Sequence, residues 1–288
     1  MSRELRALVV VALIFAAGAV GYRFLFASEA VDRFRVVTVV GSVQHIVVGG
    51  TGAVARPGDA IKAGDRIVSG DGSMAVLGLG GDTRVTVDAN SSVTVRGVTV
   101  EGVKLELEEG KVRATVRPGS GRVDILSAGR EVGSDDADFT AVVDEAGTLA
   151  IRSERGAVAV SGNEGEVVLK AGEDLIAPGE GGSLLISPAS EALLLHVAWP
   201  AVTRTREGEV EVGGTTQPGA TVVVTGGARP ITGKAGRDGR YRMKVPLAEG
   251  PNALRVSATS LLGRTAEVAS AEVVRDTTAP SIGVTLEF

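Results

Sequence analysis

The sequence predicts an all-β protein in two parts, a β-solenoid- or β-roll-like unit followed by a β-sandwich, with one apolar helix ahead of both. Three observations carry this. From Phe34 onward the chain is a succession of short runs in which apolar and polar residues alternate, the period-two pattern of half-buried strands. Glycine is abundant, 40 of 288 residues, and it clusters between those runs, where tight turns need it. Beyond residue 28 no helical periodicity persists for more than about two turns.

The helix comes first. Arg3 and Arg6 precede an apolar run of 15 residues, Ala7 to Gly21, which reaches 20 when carried through Tyr22 and Arg23 to Phe26. A membrane-spanning helix wants about 20 residues, and an aromatic and a snorkelling cation suit its interface. A basic start, an apolar centre and small residues such as Ala17-Gly18-Ala19 or Ser28-Glu29-Ala30 also describe a cleaved secretory signal. Residues 1–28 are therefore an uncleaved transmembrane anchor or a signal segment. On both readings residues 29–288 are exported, and the positive-inside rule leaves only the first few residues in the cytoplasm.

The first β unit is placed at 29–188. Its strands show in Ser92-Val-Thr-Val-Arg, Lys104-Leu-Glu-Leu-Glu, Arg122-Val-Asp-Ile-Leu, Thr148-Leu-Ala-Ile-Arg and Ala157-Val-Ala-Val. Glycine turns at 70–72, 80–82, 119–121 and 162–165 separate them, and their regular spacing suggests the solenoid or roll. A connector over 189–207 contains Trp199-Pro200. Residues 208–280 then carry strands of another rhythm, at 208–213, 221–225, 240–246, 253–258 and 268–274, which fit a small sandwich. The last eight residues, 281–288, are one further strand or the stub of a repeat.

Composition excludes several function classes. With no cysteine there is no disulfide scaffold, thiolate metal site, thiol nucleophile or lipidated N-terminal cysteine. The net charge of −5 divides into +2 over 1–28, −8 over 29–190 and +1 over 191–288, so no basic face awaits nucleic acid. Six Phe, two Tyr and one Trp are few, and four of those nine lie before residue 28, leaving little with which to stack on sugars or bases.

Two clusters are candidate sites. Asp135, Asp136 and Asp138 could surround Ca²⁺, but an exposed acidic turn ahead of the Phe139 strand is the preferred reading. Arg229, Lys234, Arg237, Arg240, Arg242 and Lys244 fall within 16 residues with Asp238 the acid among them. If Asp238-Gly239 turns a hairpin, Arg240, Arg242 and Lys244 share one face, which could meet an anionic envelope polymer, headgroups or an acidic partner. A solvated outer face is the competing explanation. Histidine is limited to His45 and His196, and there is no nucleophile elbow or zinc-protease motif, so neither catalytic residues nor a cofactor or metal is expected. Trp199 is read as a domain-junction anchor in preference to a glycan platform.

Ordered fragments of the first unit resemble the FecR domain, the exported domain of the iron-transport regulator family. They are Val40-Gly41-Ser42-Val43, Ile61-Lys-Ala-Gly-Asp65-Arg-Ile-Val-Ser-Gly70-Asp-Gly-Ser73, Met74-Ala-Val-Leu-Gly-Leu, Val85-Thr-Val-Asp88-Ala-Asn-Ser91, Leu107-Glu-Glu-Gly110-Lys-Val and Val168-Leu-Lys-Ala-Gly172-Glu173. The chain departs from that pattern at Gly81-Asp82-Thr83 and at Gly133 to Thr140. Those regulators set a cytoplasmic anti-sigma domain before the membrane span, whereas only Met1–Arg6 precede the apolar run here, so a second protein is expected to carry any signal inward. Residues 208–280 resemble bacterial Ig-like repeats through Val212-Gly-Gly-Thr-Thr-Gln-Pro-Gly219, Asp238-Gly239-Arg-Tyr241, Gly250-Pro-Asn252 and Asp276-Thr-Thr-Ala-Pro280.

The expectation is a non-enzymatic, inner-membrane-tethered periplasmic protein that makes protein–protein contacts with an unidentified envelope partner. Two alternatives stand beside it: a sensory component of a FecR-like signalling system, and attachment to an anionic envelope polymer.

Overall fold

The computed structural model of the chain describes residues 34–163, 165–179 and 183–278. The expected anchor or signal (1–28) and the C-terminal strand (281–288) lie outside these. The described residues contain strands and turns and no helix, so none among them is long and apolar enough to cross a membrane. They form two compact units, 34–145 with 151–175, and 146–150 with 176–278. Residues 176–188, assigned to the first unit from sequence, thus group with the second.

The strands of the first stretch are β1 (Phe34–Val40), β2 (Val43–Ile46), β3 (Gly52–Val54), β4 (Arg66–Ser69), β5 (Met74–Leu79), β6 (Arg84–Val87), β7 (Ser91–Val98), β8 (Gly102–Thr115), β9 (Arg122–Ser127), β10 (Arg130–Ser134), β11 (Ala137–Val143), β12 (Thr148–Gly156), β13 (Val158–Gly162), β14 (Gly165–Leu169) and β15 (Glu173–Pro178). They lie in two sheets that share β8. One runs β1-β5-β6-β8-β11-β12-β15, and the other β3-β2-β4-β7-β8-β9-β10-β13-β14. The first half of β8 pairs antiparallel with β7 and parallel with β9; its second half pairs antiparallel with β6 and β11. The unit is all-β, as expected, and its strands form sheets joined through one long strand.

The residues of β8 explain the switch. Val103, Leu105 and Leu107 are buried in its first half, Val112 and Ala114 in its second, so the inward phase changes from odd to even positions. Gly110 sits at the change with φ +92, where a Cβ would run into Ser91 Oγ and the Asn90 carbonyl. Phe34, Leu77, Leu105, Ile125, Phe139 and Ile151 are fully buried in this unit, each contributing about 1.5–3 kcal/mol by leaving water.

Titratable side chains are drawn into the unit in hydrogen-bonded pairs. Arg152 grips the fully buried Asp174 through two hydrogen bonds of 2.7 and 2.8 Å. His45 Nε2 lies 2.9 Å from Asp65 Oδ2, which also accepts the Lys62 amide at 2.9 Å, and both side chains are buried.

The second unit continues with β16 (Leu185–Pro188), β17 (His196–Ala198), β18 (Arg204–Thr205), β19 (Glu209–Thr215), β20 (Thr221–Thr225), β21 (Ile231–Lys234), β22 (Arg240–Pro246), β23 (Gly250–Thr259) and β24 (Thr265–Arg275). Two further sheets form, β17-β19-β22 and β18-β24-β23-β20-β21. One apolar cluster joins them: Val210, Val212, Tyr241, Met243 and Val245 come from the first, and Val222, Val224, Leu254, Val256, Ala258 and Val273 from the second. Trp199 packs partly buried against this cluster. Asn252 is buried with its amide fully used, accepting from Ala248 N and donating to the Ala248, Gly250 and Val273 carbonyls.

Candidate functional site

β22 alternates as its sequence requires, with Tyr241, Met243 and Val245 inward and Arg240, Arg242 and Lys244 exposed. The three cations share an outer face as expected. The turn before them closes through Gly239 N to the Gly236 carbonyl at 2.9 Å, and Gly239 at φ +74 leaves no room for a Cβ beside the Thr216 carbonyl. The expected hairpin does not extend beyond this turn. β21 pairs with β20 and β22 with β19, so the two arms enter different sheets.

That placement disperses the basic cluster. Arg229 is exposed ahead of β21, Lys234 ends β21 in the other sheet, and Arg237 sits in the turn donating to the Ala146 carbonyl at 2.8 Å. The structure brings together Arg240, Arg242 and Lys244, and β19 sets acids beside them. Arg242 lies 3.3 Å from Glu211, Lys244 3.0 Å from Glu209, and Arg240 3.7 Å from Asp238. The hydrogen bond and charge of Glu209 raise the Lys244 ammonium above its usual value. This face is a ladder of opposite charges and not an open basic patch.

Next to the ladder, Ala198 and Gly213 leave a shallow floor between Trp199 and Arg242, a groove of about 640 Å³. Behind it, Tyr241 donates from its hydroxyl to the His196 carbonyl at 3.2 Å, and burial holds its pKa above 10.0.

A second concavity, about 720 Å³, combines aliphatic side chains with polar ones that include His196 and Gln217, and it was not among the candidate sites read from sequence. Leu184, Leu185, Ile186, Leu193, Leu194 and Pro218 dominate its wall. Leu194 is 77% exposed, and Leu185 and Ile186 are 47% exposed each. Arg264, the cation at its rim, donates to the Glu191 carbonyl at 2.9 Å, so its charge is spent on holding the wall together. Apolar groups this open are uncommon unless another surface covers them. The signal in the sequence was the run Ala192-Leu-Leu-Leu195 inside a stretch read as a connector.

The acidic cluster is engaged internally. Arg155 reaches Asp136 at 2.7 Å and Asp138 at 3.1 Å, and Arg117 holds Asp138 from its other side. Burial alone would raise the Asp138 carboxyl, but the hydrogen bonds and charges of Arg117 and Arg155 outweigh it and keep its pKa below 3.8. Among the described residues no group of three or more acidic or histidine side chains is arranged to hold a metal ion.

Residues 65–168 match the family described as FecR protein, less than half of the chain. Two crystal structures of a protein provisionally described as an anti-sigma factor from Parabacteroides distasonis are similar to it, at 20% and 19% identity and a TM-score of 0.39 in both. The similarity covers 43% of this chain and 59% of theirs, so the chain spans less than two thirds of those proteins. No curated protein matches.

Proposed function

We propose that the chain is a non-enzymatic protein of the bacterial envelope that works through protein–protein contacts, tethered to the inner membrane by residues 1–28 with its bulk in the periplasm. The observation that carries this is the open aliphatic cleft around Leu194. Such a wall has much apolar area for a partner to bury. In this reading the second unit is an Ig-like sandwich serving as spacer and contact surface.

The FecR match over 65–168 favours a second reading, a sensory component of a FecR-like signalling system that hands its signal to another membrane protein. Attachment to an anionic envelope polymer through Arg240, Arg242 and Lys244 is the third, and the ladder with Glu209 and Glu211 lessens its support.

A photo-crosslinking residue at Leu194, used in living cells with identification of the adduct, tests the proposal. A discrete adduct to an envelope-assembly protein supports the contact role, and one to a transporter or signalling protein supports the second reading. A yield no greater than from exposed Arg255 on β23 overturns both as functions of this cleft.

A further inference from the structure

The open strand edges of the molecule differ in how they are protected. Exposed edges invite pairing with another strand, and proteins guard them with short strands, proline, cover or charge. β1 is covered over Phe34–Val36 by the following loop, through Val36 N to the Asp59 carbonyl and Ile61 N to the Phe34 carbonyl, both 2.9 Å. β3 has three residues, β16 ends on Pro188, β17 is followed by Pro200, and Pro230 precedes β21. β22 is longer, but it is guarded by like charge. A second copy paired about Arg242 would set Arg240 against Lys244.

β14 lacks these guards. Among the described residues it pairs with β13 alone and ends the order of its sheet. It has five residues and no proline, and it lies where the FecR match ends. Val167 and Leu169 face inward opposite Val160 and Val158, while Glu166 and Val168 lie on the outer face opposite Ser161 and Ala159. Lys170, the first residue past the strand, is exposed; its amide donates to Glu173 Oε2 at 2.8 Å and its carbonyl accepts the Glu173 amide at 3.1 Å, so its side chain is what it offers a partner. Val168 is 54% exposed between an acid two residues before it and a base two residues after it.

That order of charges is complementary to itself when reversed. We propose that a second copy of this chain pairs antiparallel with the free edge of β14, about a two-fold axis through Val168. The axis sets Val168 against Val168, Glu166 against Lys170 of the second copy, and Lys170 against its Glu166. Val167 then meets Leu169 on the inner face, so both sheets continue as one. A two-fold axis through Val167 instead sets Glu166 against Val168, which leaves the carboxylate facing an apolar side chain. Closed two-fold pairing of this kind uses the edge up and leaves no strand for a third copy.

The absence of cysteine makes the test direct. Opposed Cα atoms in an antiparallel pair are about 4.5–5.5 Å apart, within disulfide reach. Full-length Val168→Cys, mildly oxidised in its native membranes, is expected to give a disulfide dimer in several-fold higher yield than Val54→Cys, an exposed control in β3 of the same sheet. Adding Glu166→Lys alone or Lys170→Glu alone should lower that yield several-fold, and adding both should restore it. Each side chain is on the outer surface, so unchanged thermal melts will certify folding. A yield from Val168→Cys equal to that from Val54→Cys overturns the proposal, as does failure of the double exchange to restore what each single exchange removes.

Discussion

The two units use charge in opposite ways. In the first, Asp174 is fully buried under Arg152, and Asp138 is shared between Arg117 and Arg155. In the second, the Arg242–Glu211 and Lys244–Glu209 pairs leave every side chain more than half exposed. A buried ion cannot be left alone without a large desolvation penalty, so Arg152 on β12 and Asp174 on β15 are held together. The exposed ladder is worth little to stability. The second unit buries a neutral amide, Asn252, in place of an ion.

Breaking the pairs should reveal that contrast in order of size. Arg152→Ala removes two hydrogen bonds and the facing cation from the buried Asp174 carboxylate and is expected to cost about 3–5 kcal/mol in chemical denaturation; a loss under about 1 kcal/mol would mean that Asp174 does not depend on it. Asn252→Ala removes partners from one amide and three carbonyls and should cost about 2–3 kcal/mol. Asp138 gives a smaller, pH-dependent effect. Its folded pKa lies below the usual 3.8, so its contribution is full above the unfolded value and is lost as pH falls through the folded one. Acid titration of the melting temperature should therefore fall more steeply for the natural chain than for Asp138→Asn below about pH 4. The smallest effect belongs to the ladder: Arg242→Ala with Lys244→Ala should leave the melting temperature unchanged, and a clear drop would erase the distinction between the units.

How much of this is legible in the sequence depends on the range of the interaction concerned. Period-two runs identify strands locally, and Ser92–Arg96, Arg122–Leu126 and Arg240–Pro246 all lie in strands. The phase change between Leu107 and Val112 is visible too, but reading its two sides as separate fragments conceals the single strand β8. The turn at Asp238-Gly239 is local and recognisable; the entry of its arms into separate sheets rests on pairing with β19 and β20, which no nearby residue encodes. Neutralisation of the basic face likewise depends on Glu209 and Glu211, more than 28 positions before their partners in the chain. The cleft around Leu194 lay hidden because an apolar run promises burial, and only the fold shows that Leu194 stays exposed.

The contact role rests most directly on that residue. Leu194→Asp, compared with the natural chain for melting temperature and for in-cell adduct yield from a crosslinker at neighbouring Leu185, separates folding from function. The expected result is an unchanged melting temperature with loss of the adduct. A persistent adduct at full yield would show that the aliphatic cleft is not the contact surface.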